Sequence, residues 1–202
     1  MESAVITQRK NMKFRLAESG DSQALLHIYA QYVNTPVTFE YELPSVQEFS
    51  ERIESISAWY PYLVCEVEGG IAGYAYAHRF RSREAYQWSV ELSVYLDQAH
   101  VSHGLGGMLY DRLMTLLKMQ EVRTAYACVT VPNTRSEALH RAMGFQLLGI
   151  WKNAGYKNGK WHDVAWYEKQ LRNYDEHPVP LKKFSDIPAD GIREILDSDV
   201  SF

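Results

Sequence analysis

The chain has 202 residues, 46% of them hydrophobic and 13% aromatic, with a formal net charge of −4. That length and apolar content suffice to bury one substantial core. The acidic balance argues against a nucleic-acid binder that works by neutralising phosphates. The two cysteines, Cys65 and Cys128, lie in apolar strand-like runs without metal-ligand spacing and read as buried free thiols. The stretch MESAVITQRKNMKF lacks the apolar core of a signal peptide, and no run is long enough to span a bilayer. A soluble cytoplasmic protein that engages neither membrane nor nucleic acid is expected.

In chain order, Phe14 to Ala17 reads as a short strand. A helix follows, capped at Ser19 or Asp21, with Leu25, Ile28, Tyr29 and Tyr32 at helical spacing. TPVTFEYELP is a loop, and Ser45 with Glu48 forms a capping box that opens a second helix. YLVCEVEGGIAGYAYAHRF reads as a hairpin turning at Glu68-Gly69-Gly70. YQWSVELSVYL is a long alternating strand. Trp88, Val90, Leu92, Val94 and Leu96 share one face; Ser89, Glu91, Ser93 and Tyr95 share the other. HVSHGLGGMLYDRL then leads into a helix with an apolar stripe at Leu109, Leu113, Leu116 and Leu117. TAYACVTV is a buried-type strand. PNTRSEALHRAMGF is a helix with a capping box at Thr134 and Glu137 and Gly144 just past its end. Two strands joined at the hairpin turn Lys157-Asn158-Gly159-Lys160 complete the pattern. After Leu171 the chain is polar and punctuated by proline, a tail with one short helix near Ile192 to Leu196. The expected organisation is a domain over 1–172 and a tail over 173–202. The element order gives an α/β (α+β) fold with a mixed sheet and helices on its faces.

Some of these residues carry chemistry. Glycines between a strand and a helix let backbone N–H groups approach an anion, and the helix N-terminus adds partial positive charge. A turn shaped for steric reasons alone uses the same glycines. His100 and His103 lack a third ligand at useful spacing, so no metal site is expected. Glu91 is a carboxylate in the middle of a central strand. It is either a group on a solvated polar face beside Ser89 and Ser93 or a general base in a cleft, with its pKa raised by burial. His140, on the shoulder of its helix stripe, reads as a half-exposed surface histidine, and Asn133 as a helix cap. Arg79, Arg81 and Arg83 alternate, and in extended backbone all three point one way. Such a row needs solvent and acids such as Glu84 around it, or an anionic group on a small ligand.

WSVELSVYLDQAHVSHGLGGMLYDRLMTLL, ACVTVPNTRSEALHRAMGFQLLG, GYKNGKWHDVAWYEKQL and TPVTFEYELPS together resemble the GNAT N-acetyltransferases, in particular the phosphinothricin and methionine sulfoximine acetyltransferase branch. The resemblance covers roughly Phe14 to Leu171. It implies an acetyl-CoA-binding fold with a splayed mixed sheet. The strand through Glu91 would carry a bulge, and N–H groups at Leu92, Ser93 and Val94 would face the thioester. The run Val101, Ser102, His103, Gly104, Leu105, Gly106 and Gly107 would hold the cofactor pyrophosphate. Val101 stands where the family carries Gln or Arg, which removes a side-chain donor and leaves the backbone donors in place. The resemblance also implies that Asn133 touches the cofactor arm, that His140 acts as acid or base, and that Glu91 takes the proton of the attacking amine. Arg81 and Arg83 would hold anionic groups of a small amino-acid-like substrate, walled by Phe39 and Tyr86. Neither cysteine is needed as a nucleophile. The branch forms homodimers, and the same assembly is expected here. Other readings of the resemblance are transfer to another small amine or a protein N-terminus, and a non-catalytic acyl-CoA sensor.

Overall fold

The computed structural model describes residues 12–198. Residues 1–11, which hold most of the stretch read above for a leader, and residues 199–202 lie outside the described residues. Seven strands form one sheet in the order β1-β2-β3-β4-β5-β7-β6. They are β1 Met12–Leu16, β2 Tyr62–Val67, β3 Gly70–Arg79, β4 Ser89–Leu96, β5 Thr124–Val131, β6 Gln146–Lys157 and β7 Lys160–Gln170. Every neighbouring pair is antiparallel except β4–β5, which is parallel.

On one face lie α1 (Ser22–Val33) and α2 (Val46–Ser57), packed through Leu25, Ile28, Tyr29, Phe49 and Ile53 against Tyr62, Val64 and Tyr74. The other face carries α3 (Leu105–Met119), whose stripe Leu109, Leu113, Leu116 and Leu117 is fully buried. Two more helices belong to that face, α4 (Thr134–Ala142) and α5 (Ala189–Asp197). Among the described residues no helix is long and apolar enough to cross a membrane.

Local chemistry explains the element ends. Ser45 accepts from the Glu48 N–H, and Glu48 accepts from the Ser45 N–H in return. Asn158 and Gly159 both have positive φ, as a two-residue hairpin requires. Three expectations need correction. The capping box of α4 is not built on Thr134 but on Asn133, the residue also read above as a cap: its Oδ1 accepts from the Ser136 N–H at 3.2 Å, and Glu137 accepts from the Asn133 N–H at 2.9 Å. The β3–β4 ladder runs from Arg79–Val90 to Gly73–Leu96 without a shift, so it contains no bulge in β4. The described part of the tail, 172–198, has its expected short helix but also packs onto the domain. Phe184, Ile187 and Leu196 are buried in the main core, and Lys182 and Phe184 donate backbone bonds to Gln120 and Trp59. Polar composition hid this, because three well-spaced apolar residues are enough to dock a segment that is otherwise solvated.

Candidate active site

The sheet opens between its two parallel strands. β4 and β5 pair only at Ser89–Thr124, Val90–Ala125 and Glu91–Tyr126, and beyond these they diverge. The gap passes through the sheet. Its walls include Leu92, Ser93, Val94, Cys128 and Thr130 from the strands and Tyr110 and His140 from the helices behind them.

Glu91 sits at the fork. It is half-buried and faces the α1–α2 side with Ser93 and Tyr95; its cross-strand neighbours are His78 on β3 and Tyr126 on β5. Burial pushes its pKa up, and the positive charges of His78 and Arg81 oppose that shift. Of the two readings left open for Glu91, a partly desolvated carboxylate at the mouth of a cleft fits the base better than the solvated face.

On the other side of the sheet the surface reading of His140 is overturned. The residue is 2% exposed, enclosed by the rings of Tyr110, Phe145 and Tyr167. Its Nδ1 lies 2.7 Å from the Ser136 carbonyl oxygen, which requires a proton on Nδ1. Burial lowers its pKa, so the ring is neutral near pH 7 with Nε2 as acceptor. The Tyr110 hydroxyl, 3.3 Å from Nε2, then donates to it. Tyr110 is 1% exposed and burial drives its pKa upward, so it remains a phenol. Sequence reasoning passed over Tyr110. The only local signal was a hydroxyl within an otherwise apolar helical run.

The second opening is a cavity of about 490 Å³ below the start of α3. Val94, Val101, Ser102, Gly104, Gly106, Gly107 and Asn133, all named above as cofactor candidates, line it. Tyr32, Val37, Leu96, Gln98, Arg135, Ser136, Ala138 and Leu139 were not foreseen. Gly104 has φ +80°, which its lack of a Cβ permits, and it caps α3. The first helical bond is from the Met108 N–H to Gly104 O, which leaves the N–H groups of Leu105, Gly106 and Gly107 outside the helical ladder. A Cβ on Gly106 would stand 3.3 Å from Leu139, so this glycine also sets how closely α4 approaches. The side chain of Leu105 is in the core at 2% exposure and that of His103 is exposed, so neither side chain builds the cradle. The cavity combines apolar walls, free N–H groups and one charged lining residue, Arg135. These features suit a long, partly apolar, anionic cofactor such as acetyl-CoA.

The remaining candidates divide. Phe39, Arg81, Arg83 and Tyr86 are all exposed; Phe39 lies on the α1–α2 loop and the other three on the β3–β4 connection. The arginine row does not exist: β3 ends at Arg79, the chain bends, and Arg81 stacks on Phe80 at 4.8 Å. Arg79 instead lines a different cavity with Trp59, Tyr60 and His78. Cys65 is buried, but Cys128 is exposed at the cleft rather than buried. The protein around Cys128 and the Glu91 charge push its thiol up to about 12, so it is a poor nucleophile. His100 meets Asp97 at 4.0 Å, and among the described residues no group of three or more His, Cys, Asp or Glu is gathered as a ligand set.

Comparison with known proteins agrees with this geometry. The model of the acetyltransferase (GNAT) domain matches residues 14–166. A phosphinothricin N-acetyltransferase of Streptomyces viridochromogenes is 37% identical over 86% of this chain and 93% of its own length. The L-methionine sulfoximine/L-methionine sulfone acetyltransferase of Salmonella typhimurium is 30% identical over 84% of this chain and 98% of its own length. Among solved structures, a GNAT superfamily phosphinothricin acetyltransferase from Sinorhizobium meliloti in complex with acetyl-CoA superimposes with a TM-score of 0.78. It shares 33% identity and covers 86% of this chain and 98% of its own. The matched region runs from β1 to β7 and so contains both openings; the chain belongs to the GNAT family of acetyl-CoA-dependent N-acetyltransferases.

Proposed function

We propose that the chain acetylates the primary amine of a small amino-acid-like acceptor of the phosphinothricin or methionine sulfoximine class, by direct attack within a ternary complex. The observation that carries this reading is the fork at Glu91. A desolvated carboxylate lies on one face of the opened sheet and a Tyr110–His140 pair on the other.

When bound, acetyl-CoA supplies an activated acetyl thioester. The N–H groups at the start of α3, the Asn133 side and the Arg135 guanidinium would hold its phosphates and arm. Val101 contributes only an apolar surface there, and Arg135 provides a positive charge from the opposite wall. An acceptor amine arrives protonated and must lose a proton before it can attack. Glu91 accepts that proton, directly or through one water. Backbone N–H groups of Leu92 and Val94, on the free edge of β4, would stabilise charge developing on the carbonyl oxygen, whereas that of Ser93 is taken up in the unshifted ladder with β3. As the C–S bond breaks the sulfur would leave as a thiolate; the Tyr110 hydroxyl, held at His140 Nε2 beforehand, would turn to donate a hydrogen bond to it, and the second proton of the acceptor nitrogen would end on that sulfur. Holding both substrates in one gap removes orientational entropy, worth roughly 7–11 kcal/mol in favourable models. Phe39, Arg81, Arg83 and Tyr86 would frame the acceptor at the surface of the cleft.

The same reading makes the protein a cytoplasmic homodimer. Both cysteines are free, which suits a reducing compartment. The edge strand β6 and its hairpin expose Leu147, Leu148, Ile150, Trp151, Tyr156 and Trp161, an apolar surface that a second copy would cover. Incubation with acetyl-CoA and a panel of amines, followed by free-thiol release, tests the activity. Release with glutamate-like acceptors is expected, and none above background with any of them removes this substrate class. Mass in solution tests the assembly: a species of twice 23.3 kDa is expected.

A further inference from the structure

The loop between α1 and α2 carries Phe39, read above as a wall of the acceptor site, and it is held in an unusual way. Surface loops of this kind are ordinarily mobile. Here Tyr29 Oη lies 2.7 Å from Thr38 Oγ1, Asn158 Nδ2 donates to Asn34 O at 3.0 Å, and Tyr41 Oη donates to Tyr156 O at 2.5 Å. The strongest tie is Lys157, at the end of β6. Its side chain is buried, the residue only 2% exposed, and Nζ donates to Thr38 O at 2.5 Å and to Glu40 O at 2.7 Å. A lysine is almost never buried to this degree without partners. Both of these acceptors are backbone carbonyls, and they flank a single residue, Phe39. The charge-assisted bonds therefore fix the chain on either side of that ring.

A second contact comes from the same strand. A Cβ added to Gly155 would stand 2.3 to 2.7 Å from the Phe39 ring, so the ring rests on bare backbone. Two residues before Phe39, Val37 lines both the cofactor cavity and the gap in the sheet.

We propose that Lys157 and Gly155 are a positioning pair: they dock the 34–41 loop on the β6–β7 hairpin and set where Phe39 stands as a wall of the acceptor pocket. The pair thereby determines the size of acceptor side chain the enzyme takes. This rests on the acceptor reading given above. Burial lowers the pKa of Lys157, with Glu40 opposing, so the site keeps its charged amine at a cost that its two carbonyl partners offset.

Steady-state kinetics with acetyl-CoA and phosphinothricin, L-methionine sulfoximine and larger amino acids, on Phe39→Ala, Gly155→Ala and Lys157→Met, tests the inference. Phe39→Ala is expected to raise the acceptor KM. Gly155→Ala and Lys157→Met should each raise it about tenfold, a displacement effect; acetyl-CoA affinity by calorimetry should stay within twofold of the parent for Gly155→Ala, which meets the ring alone, and fall for Lys157→Met, which releases the loop that carries Val37. In the Phe39→Ala background, Gly155→Ala should add nothing, because the ring it displaces is gone. If Phe39→Ala changes the acceptor KM but Gly155→Ala leaves it unaltered, or acts equally with and without the Phe39 ring, the positioning role is overturned and the acceptor reading stands. If Phe39→Ala leaves the acceptor KM unaltered, the acceptor reading falls and the inference with it. Should Lys157→Met fold poorly, Gly155→Ala and its double variant decide the matter alone.

Discussion

The two ends of the cleft are built from different materials. The cofactor end is mostly backbone: a left-handed Gly104, three N–H groups outside the helical ladder and an asparagine cap, all within two strand-to-helix turns. The acceptor end, as proposed, is made of side chains drawn from β3, β4, the α1–α2 loop and the far hairpin. Backbone geometry is indifferent to most substitutions, whereas a wall of side chains changes with each one. A family can therefore keep one donor while varying its acceptors.

That contrast can be broken at either end. The largest effect is expected from Glu91→Gln, which removes the proton acceptor and should lower kcat/KM by about 10²- to 10³-fold without weakening acetyl-CoA binding. Gly106→Glu places a carboxylate against the anion cradle and a side chain against Leu139. It should weaken acetyl-CoA about a hundredfold by calorimetry, and normal binding would show the donor end to be misplaced. Tyr110→Phe keeps the packing and loses the hydroxyl. A fall in kcat of about tenfold is expected with both KM values little changed. Arg135→Ala should raise the acetyl-CoA KM several-fold, about threefold to tenfold, with the difference shrinking in high salt as for any exposed charge. The subtlest change concerns pH. Because burial raises the pKa of Glu91, activity falls as pH drops through that raised value. His78 opposes the shift, so His78→Gln should move the acid limb of kcat/KM to higher pH. An unmoved limb would show that His78 is electrically remote from the base.

What could be read in advance follows the same division. The glycine turn, the face of β4 that carries Glu91 and the Asn-Gly hairpin are local patterns, and all three are found where the spacing puts them. Long-range packing was not legible. His140 looked like a shoulder residue because its ring partners Tyr110, Phe145 and Tyr167 come from other elements. Lys157 looked like a turn residue because the carbonyls it binds are over a hundred residues away in sequence. The arginine row failed for a simpler reason: alternation implies a face only while the strand continues, and this one stops at Arg79.

The three-pair ladder between β4 and β5 has a further consequence. An open sheet ordinarily has two edges, and each is a hazard, since unpaired strands recruit foreign strands. Where β4 and β5 part, this sheet acquires two more edges that face one another in its middle. Both face inward, and Tyr110 and His140 lie behind the gap between them. A slender molecule bearing amide groups can enter. On the function proposed here, the parting of these strands would give the enzyme a strand-like docking edge that does not face outward as a sheet's outer edges do.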